Sequence, residues 1–135
     1  MPLVLKTEPS EYSWDDLRRD KKTLWSGVKN PTARKHMREA KKGDLAVIYH
    51  TGTERRAVGI AEITSAPMPD PKDPNAVVFE VRPKKPLAEP VGLDQIKANP
   101  AFADSPLVKM GRLSVVPLTP AQWKVLLALA RTKLG

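Results

Sequence analysis

Aromatic and polar side chains between residues 7 and 51 form the part of the chain best suited to hold a planar ring. Trp25 offers a flat aromatic face, Gly27 allows close approach of the backbone, and the Asn30 amide both donates and accepts hydrogen bonds. Stacking of a base on an aromatic ring contributes about 1–3 kcal/mol to binding, whatever the nucleotide sequence. These residue types predict a base-binding site, completed by Lys6, Thr7, Tyr49, His50, Leu113 and Ser114.

The residues best suited to bind a base could equally have purely structural roles. Trp25 suits a hydrophobic core, and Asn30 precedes a proline, where an amide commonly caps a helix; capping is the favoured role of Asn30. Tyr49 and His50 are neighbours on one strand and alternate across it, so we expect one to form a pocket wall and the other a core or surface contact. A structural histidine and one that donates to a base are both open for His50.

Structural roles also stay open at two strand ends. Lys6 either meets a phosphate or pairs with the neighbouring Glu8. Leu113 and Ser114 either close the site with an apolar wall and a hydroxyl, or pack at the edge of a sheet. His36 is predicted to lie on a basic helix surface without a special function.

The positive charge of the chain is concentrated in one segment. The net charge is +8, and residues 18–42 contain ten basic side chains against two acidic ones, so the rest of the chain is neutral overall. A patch of this kind attracts phosphate, although a solvated helix face explains the charge equally well. The predicted phosphate contacts are Lys29, Arg34, Arg38, Lys41 and Lys42.

Length and composition limit the classes of protein that fit. The 135 residues suit one domain with a single core, and no apolar run approaches the roughly 20 residues of a membrane span. Without cysteine, and with two histidines, the chain has no thiolate or histidine-rich metal site. We therefore expect a soluble cytoplasmic monomer that uses no metal and no cofactor and does not bind membranes.

The first half of the chain provides the elements that would position this site. Leu3–Leu5 is typical of a buried strand, which would deliver Lys6 and Thr7 at its end. Ser13 and Asp16 resemble a capping box for a helix from Trp14 to about Asp20, and a second helix would run from Asn30–Pro31 to about Glu39. On that helix Ala33, Met37 and Ala40 form an apolar stripe beside the basic one. Residues 45–50 predict a central strand and residues 58–63 an antiparallel return, with Gly59 closely packed.

The second half adds strands and two helices. The four prolines of residues 67–74 predict a surface loop, and residues 77–82 predict a strand. A short helix is expected over 93–98, with Phe102 turned inward, and residues 113–118 predict a last strand, which Pro117 places at an edge. Thr119, Pro120 and Gln122 open a final helix. Five or six short strands with short helices indicate a small mixed α+β barrel.

Six motifs follow one another along the chain: Lys6–Ser13, Leu24–Asn30 with Ala33–Arg34, Lys42–Asp44, Tyr49–Thr51, Val58–Glu62 and Arg112–Val115. In this order they resemble the motifs of the EVE domain, which is the domain of the thymocyte nuclear protein family. That family lies within the PUA-like superfamily, which also holds the YTH and ASCH domains. The resemblance spans nearly the whole chain and departs from the pattern at Leu3, where an aromatic residue is common, and in the short proline-rich segment.

The resemblance implies a PUA-like mixed β pseudo-barrel, with residues 1–135 as a single EVE domain. It further implies a pocket for a flipped or single modified base, and it adds Val28 to the pocket residues. Eukaryotic relatives are regarded as readers of modified cytosine in DNA, and the family is not known for catalysis.

Three functions are therefore weighed. The leading one is a non-catalytic nucleic-acid-binding module that holds a modified base, modified cytosine in DNA, beside the basic patch. The second is a PUA-like module that binds RNA. The third, a small nucleotide-processing enzyme with His50 as general base near Ser114 or Asp44, has little support, because the chain lacks a phosphate loop, a metal-ligand set and a nucleophile motif.

Overall fold

A computed structural model describes residues 1–134, in which seven strands form a curled mixed sheet with helices against its sides. The strand order is β2-β6-β4-β3-β1-β7, with β5 paired to β6, and the β1–β3 pair is parallel. This is the α+β pseudo-barrel of the prediction. The strands are β1 Leu3–Thr7, β2 Thr23–Trp25, β3 Leu45–His50, β4 Arg56–Ile63, β5 Met68–Asp70, β6 Asp73–Gly92 and β7 Val115–Pro117.

The helices begin where the sequence supplies caps. Ser13 and Asp16 form the predicted capping box, the Asn30 side chain accepts from the backbone N–H groups of Thr32 and Ala33, and Thr119 caps the last helix. These predictions are confirmed. The helices are α1 Trp14–Asp20, α2 Pro31–Glu39, α3 Leu93–Ala98, α4 Pro106–Lys109 and α5 Pro120–Leu129, with a 3₁₀ turn at Pro100–Phe102.

The proline-rich segment is not the loop that its composition predicted. It contributes β5 and the first residues of β6, which pair with each other. The prolines are tolerated because β5 pairs on one side and Pro74 lies at the start of β6. β6 also extends far beyond the predicted 77–82. It reaches Gly92 through two register shifts against β4, which accommodate its later prolines.

Two further differences concern the ends of strands. β7 covers only Val115–Pro117, so Leu113 and Ser114 precede it, while its position at the end of the sheet order confirms the edge that Pro117 indicated. The short strand β2 was not predicted. It brings Trp25 opposite Phe79 of β6 and so fixes one side of the candidate site.

A tight contact between Trp14 and Gly59 joins α1 to the sheet. A Cβ atom at position 59 would lie 2.4 Å from the Trp14 ring, which confirms the predicted close packing at this glycine. Trp14 Nε1 is the one fully buried side-chain polar atom in residues 1–134 without a hydrogen-bond partner. The apolar stripe of α2 is also buried, as predicted, at Ala33, Met37 and Ala40.

Candidate functional site

A cavity of about 400 Å³, called the main cavity below, opens where the end of β1 faces β2 and the segment that leads into α2. The backbone N–H of Lys6 donates to the Ser114 carbonyl at 2.9 Å and brings the segment before β7 to the same place. Gly27 adopts φ 77°, a conformation that favours glycine, as the chain leaves β2. The main cavity thus collects seven residues of the sequence prediction: Lys6, Thr7, Trp25, Gly27, Val28, Lys29 and Ser114.

Trp25 is both a wall of the main cavity and part of the core. Its side chain is 8% exposed and belongs to the central apolar cluster. The Tyr12 ring meets it edge to face, with centroids 6.4 Å apart and an angle of 83° between the planes. Tyr12 is held by a hydrogen bond from its hydroxyl to Asp20 at 3.0 Å, and its pKa is raised by burial and by that bond. The Trp25 ring is therefore held in place without a ligand.

Lys6 stands at the boundary of the main cavity. Its ammonium donates to the Gly111 carbonyl at 3.1 Å and lies 5.8 Å from the centroid of the Tyr49 ring. Burial lowers the pKa of Lys6. Lys6 forms no ion pair with Glu8 or with any other residue from 1 to 134, so the ion-pair alternative does not describe its position.

Carboxylates line the main cavity, and the sequence prediction did not include them. Glu8 and Glu11 both contribute to the wall. Glu8 accepts long hydrogen bonds from the hydroxyls of Ser10 and Thr51, at 3.3 and 3.5 Å. Their place within the first EVE-like motif was the available signal, since Glu8 directly follows Thr7 and Glu11 lies three positions further on. The other lining residues outside the prediction are Tyr12, Thr23, Leu24 and Ser26.

Tyr49 and His50 lie outside the lining of the main cavity. A register shift between Ile48 and Tyr49 disturbs the β3–β4 ladder just before them. Tyr49 lines a neighbouring cavity. The buried His50 accepts from the Trp14 backbone N–H through Nε2 at 3.0 Å and contacts Glu54 through Nδ1 at 2.9 Å. Both ring nitrogens of His50 are thus engaged in holding α1 and the β3–β4 turn.

Two other predicted pocket residues are occupied by the fold. Leu113 is 2% exposed and belongs to the apolar core. Asn30 uses its side-chain oxygen to cap α2, and it is not among the residues that line the main cavity. Their assignment to the base pocket rests on the sequence alone.

The five predicted phosphate contacts separate into two groups. Arg34 donates to the carbonyls of Val28 and Asn75, at 2.7 and 3.3 Å, and Arg38 donates to Asn75 at 3.2 Å. Arg34 also lies 3.8 Å from the Asp73 carboxylate. These arginines tie α2 to the start of β6. Arg38 is nonetheless exposed, and so are the three lysines: Lys29 at the main cavity, and Lys41 and Lys42 after α2.

The curled sheet, with the cavity at the ends of its strands, defines a PUA-like fold. A family model described as the EVE domain matches residues 3–129. The chain belongs to the EVE domain family.

Solved structures resemble the chain over almost its whole length. A protein of Rhodopseudomonas palustris is 38% identical, with a TM-score of 0.91 over 96% of this chain and 92% of that one. A protein of Agrobacterium tumefaciens is 30% identical, with a TM-score of 0.92 over 97% and 93%. The human THYN1 protein, solved in complex with DNA that contains 5-methylcytosine, is 21% identical, with a TM-score of 0.89 over 98% of each chain. No curated protein matches the sequence significantly.

None of the helices in residues 1–134 is both long and apolar enough to cross a membrane. Within the same residues, no group of three or more histidine, aspartate or glutamate side chains is placed to hold a metal ion.

Proposed function

We propose that this EVE domain binds nucleic acid without catalysis and holds one modified base, a modified cytosine in DNA, in the main cavity. The observation that carries the proposal is the main cavity itself, about 400 Å³ in volume, with an aromatic wall, two carboxylates and two lysines. The THYN1 complex with 5-methylcytosine DNA supports the same ligand class through a shared fold.

Trp25 supplies the stacking surface of the proposed site. A base stacked on an aromatic side chain gains about 1–3 kcal/mol. Because Tyr12 and the core fix the Trp25 ring, little side-chain entropy is lost when the base arrives. A base that enters an enclosed pocket must leave its stack, which costs a few kcal/mol in a duplex. Single strands and flipped bases are therefore the favoured ligands.

Glu8 and Glu11 give the site a preference among bases. A carboxylate accepts from the exocyclic amino group of cytosine, and it offers nothing to a carbonyl at the same place. Thymine and uracil carry that carbonyl. The two glutamates thus favour cytosine over its deaminated counterparts, and Thr7, Ser26 and Ser114 add hydroxyls to the same wall.

The exposed lysines serve the backbone of the nucleic acid. Lys29 lies at the main cavity, and Lys41 and Lys42 continue the positive surface beyond α2. Contacts of this kind bind phosphate without reading sequence. Arg34 and Arg38 add positive potential to that surface while they hold the fold. We further propose that residues 1–135 act as a single domain and as a monomer.

The decisive experiment is a titration of labelled single-stranded oligonucleotides, followed by fluorescence anisotropy. One oligonucleotide contains 5-methylcytosine and the other unmodified cytosine at the same position, and RNA versions of both are included. The native protein is expected to prefer the methylated DNA. Trp25→Phe shrinks the stacking surface and should reduce this preference, because the smaller ring stacks less of the base.

Trp123→Phe is the matched control, since Trp123 is a half-buried tryptophan of α5 that lies outside the main cavity. It should leave the preference unchanged. Equal affinity of the native protein for all four oligonucleotides would refute a modified-base site, and tighter binding of the RNA pair would replace DNA by RNA as the ligand.

A further inference from the structure

A second cavity of about 350 Å³, called the side cavity below, adjoins the main cavity at Lys6. Lys6 lines both, and the long hydrogen bond between Thr51 and Glu8 joins a wall of the side cavity to a wall of the main one. Lys6 and Tyr49 are direct neighbours across the parallel β1–β3 pair. Lys6 is thus the residue that the linings of the two cavities share.

The Tyr49 hydroxyl lacks a partner in the side cavity. Tyr49 is 4% exposed, and its hydroxyl forms no hydrogen bond with any residue from 1 to 134. The hydroxyl is not sealed in the core, because within that range the one fully buried side-chain atom without a partner belongs to Trp14. The Tyr49 ring is buried, while its hydroxyl is accessible and unpaired within residues 1–134, so the hydroxyl is free to donate to a ligand in the side cavity.

Two cations and no carboxylate are among the residues that line the side cavity. The cations are Lys6 and Arg55, and the remaining walls are backbone, a threonine, and the apolar side chains of Leu93 and Leu107. Burial raises the pKa of the Tyr49 phenol, and the charges of Arg55 and Asp94 have smaller effects on it, Arg55 lowering the pKa and Asp94 raising it. Glu8 approaches from the other side, against Gly52. The lining itself is positive.

Arg55 is held at the side cavity by its backbone. It adopts φ 47°, an unusual conformation for a residue with a side chain. Its carbonyl accepts from the Leu93 N–H at 2.9 Å, and its Nε donates to the Gly52 carbonyl at 3.2 Å. Arg55 makes no ion pair within residues 1–134, in contrast to the neighbouring Arg56, which pairs with Glu54. The guanidinium therefore keeps donors for a ligand.

We propose that the side cavity binds a phosphate group, the phosphate of the nucleotide whose base occupies the main cavity. Lys6 and Arg55 would neutralise the phosphate charge, and the Tyr49 hydroxyl would donate to a phosphate oxygen. The link to the base rests on the proposed function, whereas phosphate binding by the side cavity does not. The shared lysine makes the two sites one continuous surface for a nucleotide.

Two variants remove the proposed phosphate donors with little change to the fold. Arg55→Asn removes the charge at a position where asparagine tolerates the positive φ. Arg131→Asn is its control, because Arg131 is also an exposed arginine with positive φ, at 50°, and lies outside both cavities. Tyr49→Phe removes one oxygen and keeps the ring that packs beside Lys6.

The first measurement follows the ³¹P resonance of inorganic phosphate as protein is added. The native chain and Arg131→Asn should broaden the resonance equally, while Arg55→Asn and Tyr49→Phe should broaden it less. Equal broadening by all four proteins, or none by the native chain, would overturn the proposal. This measurement does not depend on base binding, so it separates failure of the side cavity from failure of the proposed function.

The second measurement compares the affinities of 5-methyl-2′-deoxycytidine and its 3′- and 5′-monophosphates by calorimetry. At least one monophosphate should bind about tenfold more tightly than the nucleoside, which corresponds to about 1.4 kcal/mol. Arg55→Asn should lose that gain and keep the nucleoside affinity. A nucleoside that binds as tightly as both monophosphates would contradict the link between the two cavities, even where inorganic phosphate binds.

Discussion

The basic residues of segment 18–42 have different roles at the main cavity and on the helix α2. On α2, the half-buried Arg34 donates to the backbone carbonyls of Val28 and Asn75, and the exposed Arg38 also donates to Asn75. At the cavity, Lys29 is exposed and stands beside an aromatic wall. A concentration of charge in the sequence therefore contains two populations, one that holds the fold and one that is open to a ligand.

The largest effect is expected from Arg34→Ala, which tests whether α2 arginines hold the fold. The substitution leaves the Val28 carbonyl without its charged donor and cuts the tie to Asn75. Hydrogen bonds to charged groups contribute about 1.5–3 kcal/mol, so the free energy of unfolding in urea should fall by about that amount.

Lys35→Ala is the matched control, because Lys35 is the exposed neighbour of Arg34 on the same helix. Its effect should stay within about 0.5 kcal/mol. Equal stability of the two variants would show that Arg34 does not hold the fold, and Arg34 would then count among the charges that are open to phosphate.

A smaller effect is expected from Lys29→Gln, which tests whether the open charge lies at the cavity. For single-stranded DNA, each phosphate contact contributes a slope of roughly 0.7 to the dependence of log affinity on log salt concentration. Lys29→Gln should reduce the slope by about this amount, measured by anisotropy at four salt concentrations. Lys42→Gln, an equal charge change beyond α2, should reduce it less. A larger reduction of the slope by Lys42→Gln would indicate that the DNA backbone passes Lys42 rather than the main cavity.

The smallest effect is expected at Glu54, an acidic residue outside residues 18–42 whose charge also holds the fold. Its hydrogen bond with His50 keeps the pKa of Glu54 below the ordinary value of 4.5. A lowered carboxyl pKa stabilises the folded state above that ordinary value, and the stabilisation disappears as pH falls through the folded pKa. Because the pair is partly exposed, we expect less than about 1 kcal/mol.

Urea unfolding of the native chain and of Glu54→Gln, carried out between pH 7 and pH 3, measures this contribution. The difference in stability should be constant near neutral pH and shrink below pH 4.5, the ordinary value for the carboxyl. A difference that grows as the pH falls would contradict the assigned role of the His50–Glu54 bond.

Local signals in the sequence predicted the elements that depend on neighbouring residues. The caps at Ser13, Asn30 and Thr119 each act within three positions, so the starts of the helices follow from the residue types. The run from Leu45 to His50 predicted a central strand because its residues are continuously apolar or aromatic. The resemblance to the EVE domain predicted how these elements are arranged in the pseudo-barrel.

Distant contacts explain what the sequence did not predict. Arg34 meets Asn75, which lies 41 positions away, so its use within the fold has no local signature. His50 is taken by the Trp14 backbone, 36 positions away, although its residue type is equally suited to a base. The proline-rich strand β5 forms because β6 is its partner, and composition alone predicted a loop there.

The hydrogen bond from Lys6 to Gly111 joins positions 105 residues apart, so part of the binding surface depends on contacts that span most of the chain. β1 pairs with β3 and also with β7, which lies far from it in the sequence. Contacts between distant positions slow folding, and an unpaired strand edge is prone to aggregation. Until β7 pairs with it, one edge of Leu3–Thr7 therefore stays open, and the wall that Ser114 adds to the main cavity is missing.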